Sequence, residues 1–310
     1  MKISLKLFSL AFCLSSSSLF VFGQTVPGNW SMTYQDEFNN GQSDLNGWTY
    51  DLGNNNGWGN GELENYTNSL QNVNVANGDL NITAIASGSQ GNQSYTSGRL
   101  QTDHVFNQKY GLFEFRAKMP QGQGLWPALW MYPQNSVYGS WPNSGEIDVM
   151  EGKGQDSTLV QGSLHSGTSA GSEDTQTQTF LGSGLEPQGF STSDWHTYDL
   201  EWDAGTATTP ATMKWYVDGI NYFTQTGGWV VPGSATDPSA PFDQPFYLVM
   251  NLAVGGSYVG NPNLSNGSYT MSIDYIRAYE PQAVPSPSGA SLFAVGVLGL
   301  GLAKRFKQSS

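Results

Sequence analysis

The chain has 310 residues, enough for one large domain with a sizeable core, and its formal net charge is −13. Such an acidic surface repels nucleic acid and anionic polysaccharides, so we expect no nucleic-acid partner, whereas a neutral glycan is not disfavoured. The single cysteine, Cys13, lies in the N-terminal leader, so the rest of the chain forms no disulfide and no zinc site built on cysteine. The three histidines lack metal-ligand spacing, and no catalytic cofactor is expected.

Residues 1–23 have the composition of a secretory signal peptide. Lys2 and Lys6 form a charged start, residues 5–21 are largely apolar or Ser, and residues 21–23 offer a cleavage site. This pattern predicts that the protein is exported, either to the cell envelope or to the medium.

Residues 24–280 show strand signals almost throughout, and Gly, Pro and Asn interrupt every candidate for a long amphipathic helix. The clearest strand signals are the alternating segments 112–119, 196–202 and 213–217, the turn pair Asp218-Gly219, the continuous apolar run 246–254 and the closing segment 271–279. Many short strands with Gly-rich turns predict an all-β sandwich.

Tryptophans cluster in the middle of the chain. Trp126 and Trp130 are four positions apart, and Trp141 follows them. Flat indole faces pack against the C–H faces of sugar rings, so we expect these three to contact substrate, with core packing as the alternative. Trp202 and Trp215 lie on the apolar faces of alternating segments, and we expect them in the core.

Three carboxylates fall within six residues in the segment 145–152, which has the pattern of a strand. Glu146 and Asp148 face the same way because strand side chains alternate, whereas Glu151 would face the opposite way in a regular strand. One β-bulge between them adds a residue and restores the parity. We therefore predict a bulged strand that presents all three carboxylates on one face.

The bulge sets the distance between the two glutamates. Four net strand steps separate the Cα atoms of Glu146 and Glu151 by about 13 Å. On a concave sheet their side chains can lean together until the carboxyl groups are roughly 5–5.5 Å apart, as a retaining glycosidase requires. The alternative is a solvated acidic face. Apolar neighbours and the repulsion between clustered like charges favour a functional site.

Several further motifs occur in a characteristic order along residues 30–280. They are Tyr34-Gln35-Asp36-Glu37-Phe38-Asn39, residues 57–67, Ser97-Gly98-Arg99, Tyr110-Gly111, residues 124–130 and residues 251–256. Together with the E-x-D-x-x-E signature, they resemble glycoside hydrolase family 16, closest to its laminarinase (endo-β-1,3-glucanase) branch. The resemblance implies a β-jelly roll of two curved antiparallel sheets with an open cleft on the concave face.

The resemblance also implies roles for individual residues. Glu146 would be the nucleophile, Glu151 the acid/base and Asp148 a group that tunes the pair. His165 matches a family position near the acids, with a structural hydrogen bond as the alternative. The expected substrate-binding set is Asn60, Glu64, Arg99, Trp126, Trp130, Trp141, His165 and Asn251.

The family often carries a structural calcium ion on the sheet face away from the cleft. Asp274 matches the usual carboxylate ligand, with backbone carbonyls near Glu37 and Gly78 as further ligands. Oxygen donors of this kind suit Ca²⁺, and we expect a structural ion rather than a catalytic one.

The leading expectation is a monomeric, endo-acting hydrolase of a neutral β-glucan with β-1,3 linkages. The extra Met150 separates this chain from the lichenase and xyloglucan-transferase branches, where E-x-D-x-E keeps parity without a bulge. A mixed-linkage β-1,3/1,4-glucanase and an agarase remain alternatives, whereas sulfated substrates would require more basic residues. A glycan-binding protein without turnover is a further alternative, but family members with that role lack the two glutamates.

The C-terminal end has its own organisation. Residues 281–290 form a Pro/Ser/Gln linker, and residues 291–310 contain a Gly-rich apolar run followed by Lys304-Arg305-Phe306-Lys307. This order resembles the PEP-CTERM sorting tails of Gram-negative bacteria, although Val284-Pro285-Ser286-Pro287 lacks the Glu between the prolines. We expect a transient membrane contact through this tail. The alternative is a disordered tail with a buried hydrophobic end.

Overall fold

A computed structural model describes residues 26–89, 91–168, 172–182, 189–233 and 235–282 of the chain. The predicted leader, the sorting tail and nearly all of the linker lie outside these ranges. No helix within the described ranges is long and apolar enough to cross a membrane.

The regular secondary structure of the described residues is almost entirely β-strand, with one 3₁₀ helix at Gly41–Gly47. In chain order the strands are β1 (Trp30–Asp36), β2 (Thr49–Tyr50), β3 (Glu64–Tyr66), β4 (Val73–Ala76), β5 (Asp79–Ser89), β6 (Asn92–Ser97), β7 (Arg99–Gln101), β8 (Asn107–Gln108), β9 (Gly111–Lys118), β10 (Leu125–Pro133), β11 (Glu146–Lys153), β12 (Asp156–Gly167), β13 (Glu173–Leu181), β14 (His196–Asp203), β15 (Thr212–Val217), β16 (Ile220–Thr226), β17 (Phe246–Val254) and β18 (Gly267–Pro281).

The strands form two sheets. The back sheet has the order β16-β15-β14-β9-β18-β5-β6-β3, with β1 paired to β18 and β4 to β5. The cleft sheet has the order β13-β12-β11-β10-β17-β7-β2, with β8 paired to β17. All of these pairs are antiparallel except β3 with β6. The predicted all-β sandwich is confirmed.

The core lies between the two sheets and follows the alternation of each strand. Leu129 and Met131 of β10 and Phe113 of β9 are fully buried in one apolar cluster. Trp202 and Trp215 belong to the same cluster, as predicted. The opposite faces of the cleft-sheet strands are therefore free to carry a site.

The strand signals in the sequence correspond closely to β9, β14, β15, β17 and β18. The turn pair also behaves as predicted, because Asp218 and Gly219 have φ angles of 50° and 77° and connect β15 to β16. Two consecutive residues with positive φ are what a tight two-residue hairpin turn requires.

One polar face departs from simple alternation. Glu114 of β9 is 0% exposed, although its polar neighbours indicate an outer face. Its strand is central in the back sheet, and the register places Asp199 and Arg277 beside it. The Arg277 Nη1 atom lies 3.6 Å from Glu114 Oε1, so charge pairing accompanies the burial.

The predicted bulge is present in β11. Met150 pairs with Leu129 of β10, but the next pair joins Asp148 to Trp130, so the extra residue is Val149 and not Met150 as the sequence predicted. The same interruption occurs toward β12, between Asp148 and Glu151. Val149 and Met150 both enter the core, and Glu151 therefore returns to the cleft face.

A buried hydrogen bond holds the bulge in place. The Trp215 indole N–H donates to the backbone oxygen of Asp148 at 2.8 Å. Gly162 of β12 makes room for this indole, because a Cβ there would lie 2.6 Å from Trp215 Cδ1 and 2.7 Å from the Tyr222 hydroxyl. Close packing on the back-sheet side thus fixes the backbone of the acidic segment.

We expect Gly162→Ala to lower the free energy of unfolding by about 1–3 kcal/mol, because the added methyl group overpacks the site beneath the bulge. Urea denaturation followed by tryptophan fluorescence measures this change. Gly233→Ala is the matched control: nothing lies within 4 Å of a Cβ there, and we expect a change below about 0.5 kcal/mol. Equal stability of the two variants would contradict the packing argument.

Candidate active site

An open cleft of about 530 Å³ lies on the outer face of the cleft sheet. Its lining combines aromatic rings, carboxylates and amides contributed by strands β7, β10, β11, β12, β13 and β17 and by three loops. The lining residues are Trp58, Gly59, Asn60, Glu62, Arg99, Trp126, Ala128, Trp130, Tyr132, Trp141, Glu146, Asp148, Glu151, Gln161, His165, Glu173, Asn251, Ser257 and Tyr258.

Alternation along β10 and β11 explains why these side chains meet. Trp126 and Trp130 are even-numbered positions of β10 and face the cleft, whereas Leu129 between them is in the core. On β11 the bulge brings Glu146 and Glu151 to the same wall. The three carboxylates and the three tryptophans of the predicted site are thus brought together.

Other predicted substrate-binding residues also line the cleft, namely Asn60, Arg99, His165 and Asn251. Glu64 does not. It is 0% exposed and accepts a 2.6 Å hydrogen bond from the backbone N–H of Val254. The prediction for Glu64 was wrong because its short strand packs beneath the cleft, and Glu62, two residues earlier, is the glutamate that lines it.

The acidic cluster is organised around His165. The His165 Nε2 atom lies 2.8 Å from Asp148 Oδ2 and 3.9 Å from Glu146 Oε1. On the other side of the ring, Nδ1 lies 2.5 Å from Glu173 Oε1. The histidine therefore stands between carboxylates of β11 and β13.

Glu151 is held separately from that cluster. The Trp126 indole N–H donates to Glu151 Oε1 at 2.9 Å, and the residue is only 8% exposed. Because Oε1 accepts this bond, Oε2 is the oxygen free to carry and deliver a proton.

The electrostatics of the cleft favour keeping protons on the cluster. Burial raises the pKa of both Glu146 and Glu151 above its usual range, and the charge of Asp148 raises both further. Burial acts to lower the pKa of His165, but Asp148, Glu146 and Glu173 together raise it to about 11. A positive His165 in turn lowers the pKa of both glutamates.

Arg99 is fixed on the floor of the cleft. Its guanidinium lies 4.6 Å from the Trp58 ring centroid and 4.8 Å from that of Trp130, and its Nε atom is 2.8 Å from Asp51 Oδ2. Stacking between two rings limits its motion. Its charge also lowers the pKa of Glu146.

A chain of hydrogen bonds crosses the other part of the floor. The Trp130 indole N–H donates to Asn251 Oδ1 at 2.8 Å, and Asn251 Nδ2 donates to the Tyr66 hydroxyl at 3.0 Å. That hydroxyl donates to Glu62 Oε2 at 3.0 Å, and Asn60 Nδ2 donates to Glu62 Oε1 at 3.1 Å. These polar groups are oriented before any ligand arrives.

Sequence reasoning missed several lining residues, among them Trp58, Glu62, Glu173 and Tyr258. Trp58 and Glu62 lie inside the motif 57–67, so that motif already contained their signal. Glu173 and Tyr258 carry no comparable signal, because only the pairing of β12 with β13 and the loop after β17 bring them to the cleft.

The predicted calcium ligands lie away from the cleft. The register opposes Leu80 to Ile273, which places Asp79 near Asp274, and burial followed by the charge of Asp274 raises the pKa of Asp79. These carboxylates and the carbonyl of Gly78 are donors of the type Ca²⁺ prefers. The Asp274 carboxylate, however, contacts the Arg116 guanidinium.

The Glu37 side chain is also engaged, because both of its carboxylate oxygens accept hydrogen bonds from Arg277. Only the backbone of Glu37 therefore remains for an ion. The donor set fits calcium in part, and a structural ion stays a prediction.

In the cleft, the side chains of Glu146, Asp148 and His165 lie close enough together to hold a metal ion, and they form the only such group among the described residues. Both His165 nitrogens face carboxylates, so we assign no metal there.

An open cleft that combines two proton-holding carboxylates on one wall with aromatic and amide groups defines a carbohydrate-cleaving site. A family model for glycosyl hydrolases family 16 matches residues 60–277. The protein resembles glucan endo-1,3-beta-glucosidase A1 of Niallia circulans, at 42% identity over 81% of this chain and 38% of that protein. It also resembles a beta-glucanase of Rhodothermus marinus, at 39% identity over 81% of this chain and 85% of that one.

The fold has a close counterpart among solved structures. The laminarinase catalytic domain of Thermotoga maritima superposes with a TM-score of 0.68 at 36% identity, covering 82% of this chain and all of that one. The chain therefore belongs to glycoside hydrolase family 16. It spans well under half the length of the Niallia relative, which carries regions with no counterpart in the match.

We expect Trp126→Phe to move the alkaline limb of kcat/KM for glycan hydrolysis to higher pH. The indole N–H lowers the pKa of Glu151, so its loss raises that pKa, and the acid form persists to higher pH by up to about one unit.

The control is Trp130→Phe, which removes a cleft indole whose N–H bonds to Asn251 instead of a glutamate. The two pH profiles, measured on one soluble substrate, should differ only on the alkaline side. A limb that moves in both variants, or in neither, would contradict the role given to the Trp126 hydrogen bond.

Proposed function

We propose that this protein is an exported, endo-acting hydrolase of β-1,3-glucan that works by retaining double displacement. The observation that carries the proposal is the bulged strand β11. It sets Glu146 and Glu151 on one wall of an open cleft with Asp148 between them. One carboxylate can then attack the sugar while the other delivers a proton.

In the first step, the ionised Glu146 attacks the anomeric carbon. The bond to the glycosidic oxygen breaks as Glu151 transfers its proton from Oε2 to that oxygen, and the leaving chain departs as an alcohol. A covalent glycosyl ester on Glu146 results. The charges of His165 and Arg99 both favour the ionised form of Glu146.

In the second step, the now ionised Glu151 takes a proton from water, and the hydroxide attacks the anomeric carbon. The ester bond to Glu146 breaks, and both groups return to their starting protonation states. Each step inverts the anomeric carbon, so the product keeps the β configuration. The raised pKa of Glu151, caused first by burial and then by Asp148, suits a group that alternates between acid and base.

The dimensions and charge of the cleft support a neutral chain as substrate. Lining residues extend from Arg99 on β7 to Glu173 on β13, which are five strand spacings apart in the cleft sheet. At about 4.8 Å per spacing this is roughly 24 Å, a length that suits an oligosaccharide segment. Arg99 is the only Arg or Lys among the described lining residues, which disfavours a sulfated glycan.

A substrate panel tests the assignment. Reducing-sugar release is measured on laminarin, barley mixed-linkage glucan, agarose and κ-carrageenan, and rapid shortening of laminarin is the expected result. Cleavage of barley glucan as well would widen the linkage range. Cleavage of agarose alone would overturn the substrate while leaving the two glutamates in their roles. Binding of laminarin without release of reducing ends would favour a glycan-binding protein.

We expect Glu151→Gln to lower kcat by about 10²–10⁴-fold, because general acid–base help is lost. Glu146→Gln should lower it by roughly 10⁴-fold or more, because no nucleophile remains. Glu201→Gln is a matched control, since Glu201 pairs with Lys214 on the back sheet. Circular dichroism should show all three variants folded. Near wild-type turnover in either cleft variant would refute the assignment.

We expect the first product of laminarin cleavage to carry the β configuration at its new reducing end. Proton NMR during the first minutes distinguishes it from the α-anomer formed later by mutarotation. Direct appearance of the α-anomer would exclude double displacement.

Export and envelope contact belong to the same proposal and rest on the composition of residues 1–23 and 281–310. A monomeric state is part of the proposal as well. Intact mass of the exported protein is the measurement for both ends. A species retaining the leader, or one with a full-length tail and no association with membrane, would count against them. Light scattering of the purified protein should give the mass of one chain.

A further inference from the structure

Glu173 is a cleft residue to which the proposed mechanism gives no role. It begins β13, the edge strand of the cleft sheet, and its side chain is 36% exposed. Its Oε1 atom lies 2.5 Å from His165 Nδ1 and accepts a 2.8 Å hydrogen bond from the Thr175 hydroxyl. The carboxylate is therefore aimed at the histidine by its own strand.

His165 faces a carboxylate at each ring nitrogen. Nε2 meets Asp148 at 2.8 Å, and Nδ1 meets Glu173 at 2.5 Å. A neutral imidazole can donate from only one nitrogen, so the other would direct its lone pair at a carboxylate oxygen. The imidazolium donates from both. This arrangement selects the charged form of the ring.

We propose that Glu173 is a positioning residue that holds His165 as an imidazolium against Asp148, and thereby keeps a positive charge beside the nucleophile Glu146. The inference rests on the proposed function for its kinetic consequence. The interaction itself exists whatever the substrate.

The surroundings of the ring support this role. Asp148 and Glu146 face it from β11, Glu173 and Thr175 face it from β13, and the Trp141 ring centroid lies 6.2 Å away. Among the residues that the structure describes, no Lys or Arg contacts the ring, and the charged groups that face it are all acids. Although burial acts to lower it, these acids raise the pKa of His165 to about 11.

The consequence for catalysis has a definite sign. When Glu173 loses its charge, the pKa of His165 falls, and the imidazolium is lost as pH rises through that lower value. Without it, the carboxylates of Glu146 and Asp148 repel each other more strongly, and the pair retains a proton that Glu146 must lose to attack. Activity that depends on the imidazolium therefore disappears from the alkaline side.

The test compares Glu173→Gln with Glu173→Asp and Asp174→Asn in the full-length protein. Gln keeps a polar group of the same shape but removes the charge, and Asp restores the charge on a shorter arm. Asp174 is the next residue of the same strand. It accepts a bond from Gln176 and serves as the matched control.

The first readout is the pKa of His165 by NMR of the imidazole nitrogens, which is practical because the chain has three histidines. A His165→Gln variant assigns the signal. We expect Glu173→Gln to lower this pKa by about one unit or more. Glu173→Asp should restore most of it, and Asp174→Asn should leave it unchanged.

The second readout is the ratio of kcat/KM at pH 10 to that at pH 6. We expect Glu173→Gln to lower this ratio about twofold relative to wild type, because a His165 pKa that falls from about 11 to about 10 lowers the imidazolium fraction at pH 10 from about 0.9 to about 0.5. A lower melting temperature with an unchanged ratio and an unchanged His165 titration would show a purely structural role and overturn the proposal. So would an equal shift in Asp174→Asn.

The two readouts separate this inference from the proposed function. If wild type cleaves none of the glycans, the proposed function fails, yet the NMR titration still decides whether Glu173 holds the charge of His165. If wild type cleaves laminarin and Glu173→Gln titrates as wild type does, the inference fails alone.

Discussion

The site depends on one irregularity in a strand, the extra residue Val149 in β11. If β11 ran as a regular strand through the same residues, Glu151 would point into the core and Met150 into the cleft. The back sheet also stabilises this bulge, because the Trp215 indole N–H donates a hydrogen bond to the backbone oxygen of Asp148. The geometry of the acids is therefore coupled to the packing between the sheets, and both sheets contribute to their placement.

Repulsion between the clustered carboxylates is the second constraint, and the protein offsets it with positively charged side chains nearby. Three carboxylates on one wall repel one another, and burial strengthens that repulsion. His165 and Arg99 offset part of it from two sides of Glu146. Arg99 is held by stacked rings and His165 by flanking carboxylates. Fixed cations of this kind need no rearrangement when charge moves during the reaction.

Local pattern was enough to predict much of this architecture. The alternation of side chains along a strand was enough to require a bulge between Asp148 and Glu151. The same alternation puts Trp126 and Trp130, four positions apart, on one face of their strand. The misassignment of Glu64 and the omission of Glu173 share a cause. Which side of a three-residue strand faces solvent, and which side chains of β13 reach His165, depend on pairing between distant segments. No local periodicity contains that information.

The position of Glu173 on an edge strand has an evolutionary consequence. Phe180 is the only fully buried residue of β13, and most of the strand is Thr or Gln in contact with water. Substitutions there disturb little packing, so their cost in folding is small. The sequence of β13, which sets the surroundings of His165, can therefore change widely while the core and the bulge stay the same. Divergence in pH preference among related chains should concentrate along this strand.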